Sequence, residues 1–320
     1  MKAAVLHEFG KPPVYEEFPD PIAAQSETLV RMKAAALNRA SKSFASGSHY
    51  SSYQKLPVVV GIDGLGLLED GTRVYCGGFR PPYGSMAQVT VVHKSRCMPV
   101  PEGIDDLSAA ALPNAALSSW LPLAYRAKLE HGETVLILGA TGVSGKIAIQ
   151  VSKLLGAGHV VAAGRNERVL RTLGELGADS VVSLNLPDRE LADAFTSLVS
   201  KHSPGVVLDY VWGHPIEVLI SSLIRTNPTG ESNRIRLVSV GSMAGPAASI
   251  PSAALRSSGL EIYGSGLGTI SFEAIAETMP KIWQAAADRK IKIDVDPVPL
   301  ANVQEAWNRE ETNGRLVFVI

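Results

Sequence analysis

Over the first hundred residues, short apolar runs alternate with clusters of Gly, Pro and Ser: KAAVL, TLVRMKAAAL, LPVVVGIDG, TRVYCGG and MAQVTVV. Runs of that length, rich in β-branched residues and bounded by turn formers, predict strands, and little helical periodicity interrupts them. The pattern changes over residues 106–130, where LSAAAL and AALSSWLPLAYRAKL predict helix, with Asp105 or Asp106 as N-cap and breaks at Pro113 and Pro122. From Thr134 onward strand and helix alternate (TVLILG, VSGKIAIQVSKLLGA, VVAAGR, ERVLRTLGELGA, SVVSL, a helix, VVLDYV), which predicts βαβ units and a parallel sheet. Ile147, Val151, Leu154 and Leu155 fall on one stripe of the first of these helices, as packing against a sheet requires. Further strands are expected at RIRLVSVG and LEIYGSG. The tail from Lys292 (IDVDPVPL, a helix in ANVQEAWNREE, then GRLVFVI) reads as β-rich again and is expected to rejoin the first domain. The predicted fold class is α/β: a β-rich domain of residues 1–115 and 288–320, and a doubly wound parallel-sheet domain of residues 116–287.

A chain of 320 residues suits two domains, each with its own core and a cleft between them. Apolar residues at 46% and charged residues at 19% are those of a globular protein rather than a disordered one. The balance of 30 basic against 31 acidic residues provides no field to gather nucleic acid or an anionic membrane surface, so neither is expected as a partner. Cys76 and Cys97 are too few for a disulfide framework and fit a reducing compartment, which makes the cytoplasm the expected location. MKAAVLHEFG reaches charge and glycine too soon for a secretory leader and reads as a first strand, and no later run approaches membrane-spanning length.

The chemistry concentrates in VLILGATGVSG, a buried strand that runs into a glycine turn opening an amphipathic helix. In that setting Gly139 and Gly142 permit the turn and let backbone N–H groups approach a pyrophosphate, with Ala140, Thr141, Val143 and Ser144 among the expected cofactor contacts, while Gly145 allows close packing of helix on strand. A carboxylate about 20 residues further on would bind the ribose hydroxyls of NAD. The chain has Gly164-Arg165-Asn166 there, with Arg168 one turn on, and a guanidinium suits a 2′-phosphate that a carboxylate would repel. NADPH is therefore the expected cofactor, with Arg165 its leading contact. Ser242, Gly266 and Leu267 follow the two later strands, where small residues and backbone suit a flat nicotinamide. Asp209 ends another strand, and His214 is expected in the loop after it.

The opening MKAAVLHEFG, KAAALNRASKSFASG, GIDG, YGSMAQ, AALPNAALSSW, GATGVSG and the closing GRLVFVI together resemble the zinc-free quinone oxidoreductase branch of the medium-chain dehydrogenase/reductase superfamily. The resemblance covers nearly the whole chain. It implies a GroES-like catalytic domain, a Rossmann domain, a homodimer formed through the Rossmann domain with LEIYGSG as a candidate pairing edge, and hydride transfer from NADPH to a small electrophile such as a quinone or enone. Zinc-dependent members carry a Cys near the position of Asn38 and Gly-His-Glu where this chain has Gly61-Ile62-Asp63, so no metal is expected. Polarising a carbonyl then falls to hydrogen-bond donors. The resemblance carries Asn38 into that role, and Tyr50 and Tyr53 lie in the loop shortly after it. Departures are visible too. Arg39, Ala40 and Ser41 replace a usual Pro-x-Asp after the Asn, Ser183-Leu184 replaces an Asn-Tyr that often contacts cofactor, and the stretch from Gly61 to Tyr75 is short. The rival within enzymes is a zinc-free reductase of simple carbonyls or of an enoyl thioester, and the latter would want a basic rim, for which Arg39, Lys42 and Lys55 provide little. A non-catalytic NADPH-binding role is the alternative from another class.

Overall fold

The computed structural model describes residues 1–224, 234–266, 268–309 and 314–320, so Leu267 and most of the polar insertion after Arg225 lie outside it. Contacts divide the chain into two compact units, Met1–Asn114 with Met279–Ile320, and Ala115–Thr278. Along the chain come β1 (Lys2–Leu6), β2 (Val14–Glu17), β3 (Glu27–Ala36), α1 (Arg39–Ser46), β4 (Val58–Val59), β5 (Asp63–Leu67), β6 (Arg73–Gly77), β7 (Val89–His93), β8 (Cys97–Pro99) and α2 (Asp106–Leu121). They are followed by β9 (Thr134–Leu138), α3 (Val143–Leu154), β10 (His159–Gly164), α4 (Glu167–Leu170), β11 (Ser180–Ser183), α5 (Asp188–His202), β12 (Val206–Asp209) and α6 (His214–Ser222). The chain closes with β13 (Ile235–Ser239), α7 (Ser252–Ser257), β14 (Leu260–Gly264), α8 (Phe272–Ala287), β15 (Val295–Pro299), α9 (Val303–Ala306) and β16 (Arg315–Val319).

In the first unit β1 is flanked by β2 and β4, and a second sheet runs β15-β16-β3-β5-β6-β8, with β7 also paired to β3. β16 lies antiparallel to β3, matching Val317 with Ala36 and Phe318 with Ala35, so the C-terminal strand is stitched into an N-terminal sheet. Alternation puts Leu316 and Phe318 into one core with Leu6, Ala35, Val58 and Trp307. The second unit is a six-stranded sheet in the order β11-β10-β9-β12-β13-β14, with all adjacent pairs parallel. The order reverses direction at β9, the strand that feeds the glycine turn, and ligands of such sheets lie at the carboxyl ends beside that reversal.

Several elements differ from expectation. The first hundred residues contain α1, whose eight residues are too few and too rich in Ser to display a helical stripe; Asn38 caps it, and Gly47, at φ 76°, ends it. α2 runs through Pro113 unbroken, with Ala109, Ala110 and Ala111 fully buried around the lost hydrogen bond, whereas Pro122 opens a π-helical turn ended by Lys128 in the left-handed region. The helix expected after β10 is only α4 and a 3₁₀ turn, Leu173–Leu176, because Arg171 and Thr172 leave the helix as a turn and Gly177 adopts φ 103°. His214 is the first residue of α6 rather than a loop residue, its Nε2 2.8 Å from Asp188 Oδ1. α8 carried no expectation. The unit boundary at Met279 falls inside it, since Trp283 belongs with the first unit, its ring 6.4 Å from that of Tyr75.

At the amino end of the parallel sheet, Arg236 is 3% exposed. Its guanidinium donates to the carbonyls of Gly205 (3.1 Å), Ala127 (2.8 Å) and Lys128 (3.2 Å) and pairs with Glu133. Removing one partner of such a buried group strands the other. Arg236→Ala is expected to cost about 3 kcal/mol in urea unfolding at unchanged m-value; a cost below about 1 kcal/mol would show that the clasp contributes little.

Candidate active site

The glycine turn follows from the packing of α3 on β9. Gly139, at φ 89°, receives the chain from β9, and both Gly139 and Ala140 donate N–H bonds to the Ala163 carbonyl at the end of β10, each 2.9 Å. A Cβ at Gly145 would lie 2.3 Å from the Gly139 oxygen and 2.5 Å from Ala140 Cα, so only glycine lets α3 approach this closely. At Gly142 the nearest atom would be 3.5 Å away, an ordinary contact. The first bond back to the cap runs from Lys146 N–H to the Gly142 carbonyl at 2.9 Å. The N–H groups of Val143, Ser144 and Gly145 therefore have no acceptor within the helix and stand at its positive end. Thr141 packs on Gly164, where a Cβ would come 2.5 Å from its methyl group. This is a fitting cradle for the pyrophosphate of a dinucleotide.

At the end of β10, Arg165 and Asn166 are exposed. The Arg165 and Arg168 guanidinium groups have no ion-pair partner among the described residues. Asn166 is held as the cap of α4, accepting from Val169 N–H at 3.2 Å, and Asn185 Nδ2 donates to the Arg165 carbonyl at 2.5 Å. Ser242 and Gly266 are exposed after β13 and β14; Gly266 N–H donates to Thr269 Oγ1 at 2.9 Å, and Leu267 lies outside the described residues. Asp209 is fully buried at the end of β12 and accepts from the N–H groups of Val211 (2.8 Å) and Trp212 (3.0 Å). Burial pushes its carboxyl up to about 6 against the opposing effect of those two bonds.

In the first unit, Asn38 is 1% exposed and its two amide atoms are divided: Oδ1 accepts from Ser41 N–H at 2.8 Å, and Nδ2 donates to Asp63 Oδ1 at 3.2 Å. One Nδ2 hydrogen remains for another acceptor. Asp63 Oδ2 accepts from the Tyr75 hydroxyl at 2.8 Å, so one carboxylate serves two side chains on different oxygens. Burial raises its pKa to about 6, opposed by Tyr75, Arg315, Asn114 and Asn38. Tyr50 is 73% exposed and its ring lies over His49 at 4.1 Å, while His49 stacks on Phe44 at 4.4 Å. Tyr53 turns inward instead. It packs against the core with Leu56, its hydroxyl is buried beside the Gly61 backbone without a well-formed hydrogen bond, and burial lifts its pKa to about 12. Asp63, Tyr75 and Asn114 were missed as site residues. GIDG signalled Asp63 only through likeness, and nothing in the strand pattern around Tyr75 marks its hydroxyl as a partner.

No family model matches the chain. A probable NADPH-dependent quinone reductase of Emericella nidulans is 26% identical over all of both chains. Quinone oxidoreductase-like protein 2 of Rattus norvegicus is 30% identical, the match covering 78% of this chain and 71% of that one. The chain belongs to the quinone oxidoreductase-like family of medium-chain dehydrogenases/reductases. Among solved structures, the quinone oxidoreductase of Thermus thermophilus, solved also in complex with NADPH, superposes with a TM-score of 0.82 at 26% identity and full coverage of both chains. A quinone oxidoreductase-like architecture accounts for both units, the GroES-like β-rich one and the Rossmann one.

In this quinone oxidoreductase-like chain two glycines of one motif are expected to respond differently to the same added methyl. Gly145→Ala should lower thermal stability by about 2 kcal/mol or more, since backbone must move, whereas Gly142→Ala should stay within about 1 kcal/mol of the parent. Calorimetric melting of the pair checks this, and equal losses would refute the close-approach account.

A second expectation concerns pH. A buried Asp209 with a raised pKa is protonated in both folded and unfolded chains below about 4, but from there to about 6 the unfolded chain ionises first, so stability falls as pH rises and stays lower above. Asp209→Asn keeps an acceptor for the two N–H groups and should flatten that decline by about 3 kcal/mol, read from denaturation at pH 4 and pH 7. Parallel curves for variant and parent would contradict the assignment.

Proposed function

We propose that the protein is a zinc-independent, NADPH-dependent oxidoreductase that reduces quinones, enones or related α,β-unsaturated carbonyl compounds. The observation that carries the cofactor choice is Arg165 at the end of β10, exposed and without an ion-pair partner among the described residues, where an NAD-specific site would hold a carboxylate. The free N–H groups at the start of α3 would take the pyrophosphate, and Ser242 and Gly266, at the ends of β13 and β14, would border the nicotinamide. NADPH, when bound, supplies the hydride. Asn38 uses its remaining Nδ2 hydrogen to polarise the acceptor's carbonyl, held in orientation by Ser41 N–H and Asp63. Tyr50 is the exposed donor of the next loop and Tyr53 props that loop from beneath. Hydride addition to the electrophilic carbon leaves negative charge on the polarised oxygen, and water provides the balancing proton.

Zinc independence rests on the donor set: an amide at position 38, an apolar Ile62, and an Asp63 already bonded to two side chains do not make a cation site. No helix among the described residues is long and apolar enough to cross a membrane. We assign the protein to the cytoplasm and to a homodimer paired along β14, which ends the parallel sheet as an unpaired edge among the described residues.

Fluorescence titration with NADPH and NADH, on the parent and on Arg165→Ala, tests the cofactor choice. The parent should prefer NADPH, and the variant should lose about 10- to 100-fold for NADPH while keeping its NADH affinity. Equal parent affinities would overturn the assignment. NADPH oxidation dependent on added 1,4-benzoquinone tests the reaction, and tight binding without turnover on any quinone or enone would leave a binding protein rather than an enzyme.

A further inference from the structure

Of the four tryptophans, Trp120, Trp283 and Trp307 are at most 7% exposed, whereas Trp212 is only half-buried. Trp212 also has φ 51°, a left-handed backbone that a bulky side chain rarely takes, followed by Gly213 at φ 59°. Such a residue persists only where its surroundings hold it. Here they do. The Asp209 carboxylate accepts from the N–H groups of Val211 and Trp212, and the Val211 carbonyl accepts from Ala244 N–H at 2.6 Å.

The loop lies against the phosphate turn, since a Cβ at Gly139 would sit 3.1 Å from Val211 Cγ1. It also packs on the same apolar cluster as Leu184 and Leu186, which follow β11. β10, which delivers Arg165, runs between β11 and β9 in the sheet. β12 lies on the other side of β9, so the Val211-Trp212 loop and the residues after β10 flank the phosphate turn from its two sides, around which the adenosine half of a dinucleotide with its 2′-phosphate would lie. Among the residues that follow β10, β11 and β12, two are aromatic. Tyr210 is tied down, its hydroxyl bonded to Ser119 Oγ (2.9 Å) and to the Ser118 carbonyl (3.0 Å). Trp212 is the other, and at the end of β11 the chain has Ser183-Leu184, with no aromatic ring.

We propose that Trp212 is the adenine platform of the dinucleotide site, its indole face covering the purine. The inference rests on the NADPH reading and deepens it: the adenosine half is held by a π-face from the β12 loop together with the Arg165 guanidinium at the 2′-phosphate. An aromatic face binds a purine without reading its edges and contributes a factor of about 10 or more in affinity.

Glycine accepts φ 51° freely, so Trp212→Gly removes the ring without straining the loop backbone, and Trp212→Phe, which keeps a ring packed on the apolar cluster, separates loss of the aromatic face from loss of packing. Calorimetric titration would use adenosine 2′,5′-bisphosphate, which has no nicotinamide, and reduced nicotinamide mononucleotide, which has no adenine. Trp212→Gly should bind adenosine 2′,5′-bisphosphate and NADPH each about 10-fold more weakly, Trp212→Phe should stay within about 3-fold of the parent, and the mononucleotide should bind all three alike. Adenosine 2′,5′-bisphosphate should also quench parent tryptophan emission and leave that of Trp212→Phe unchanged. Unchanged affinity in Trp212→Gly, or an equal loss for the mononucleotide, overturns the platform while leaving the NADPH reading standing; a parent that binds neither NADPH nor the bisphosphate overturns both.

Discussion

The approach of α3 to the Gly139 carbonyl is the constraint on which the second unit depends. Because no Cβ intervenes at Gly145, the helix begins immediately after the turn, and its unpaired N–H groups stand where β9 ends. The turn itself is anchored sideways, through two N–H bonds to Ala163 at the tip of β10 and through contact between Thr141 and Gly164. The phosphate turn and the strand that delivers Arg165 are thus one rigid piece. A site that distinguishes two dinucleotides by one phosphate needs this, since a guanidinium discriminates only when the distance from pyrophosphate to 2′-oxygen is fixed by the scaffold.

The first unit meets a similar demand with hydrogen bonds instead of packing. In the proposed role Asn38 caps α1 and also presents an amide to the acceptor, and a carboxamide free to flip would do either badly. Asp63 resolves this by accepting at Oδ1, which requires nitrogen on that side and leaves oxygen for Ser41 N–H. Its other oxygen is taken by Tyr75, whose ring is packed edge-on against Trp283. An amide at position 63 has one carbonyl oxygen for these two donors, and a glutamate would be one methylene too long for the space. The buried charge is costly, which its raised pKa records, but a neutral group could not hold both neighbours.

Where the sequence was legible, one signal outweighed its competitors. The βαβ alternation after Thr134, the glycine turn and the basic residue at the end of β10 are local patterns with local causes, and all are present in the described residues. The return of the C-terminal strand was visible too, because the short apolar, β-branched run of GRLVFVI after a glycine reads as strand and nothing helical competes with it. What escaped were features whose cause lies elsewhere in the chain. α1 depends on a cap whose other bond goes to Asp63, α2 ignores Pro113 because its surroundings are fully buried, and His214 opens a helix because Gly213 turns the backbone with a positive φ. Tyr50 and Tyr53 looked equivalent in GSHYSSY, yet one lies out over His49 and the other fills the core beside Leu56.

The two buried aspartates, one in each unit, are used alike. Asp63 starts a strand and Asp209 ends one, and each gives up hydration in order to hold groups that would otherwise be free to move: an amide and a phenol in one case, a strained loop backbone in the other. Serine or asparagine could accept such bonds at lower cost in desolvation, but each has a single strong acceptor oxygen where the carboxylate has two. At Asp209 the gain is a fixed loop backbone, with Val211 against the phosphate turn and a left-handed tryptophan at the next residue, a position that ordinary loop chemistry would give to glycine. A fold that accepts a buried charge at Asp209 and a backbone outlier at Trp212 does so where position matters more than stability. The loop secured here sets Val211 against the glycine turn and carries Trp212 directly after it, so in the proposed site the strain of this loop and the polarity of the α3 start serve one cofactor.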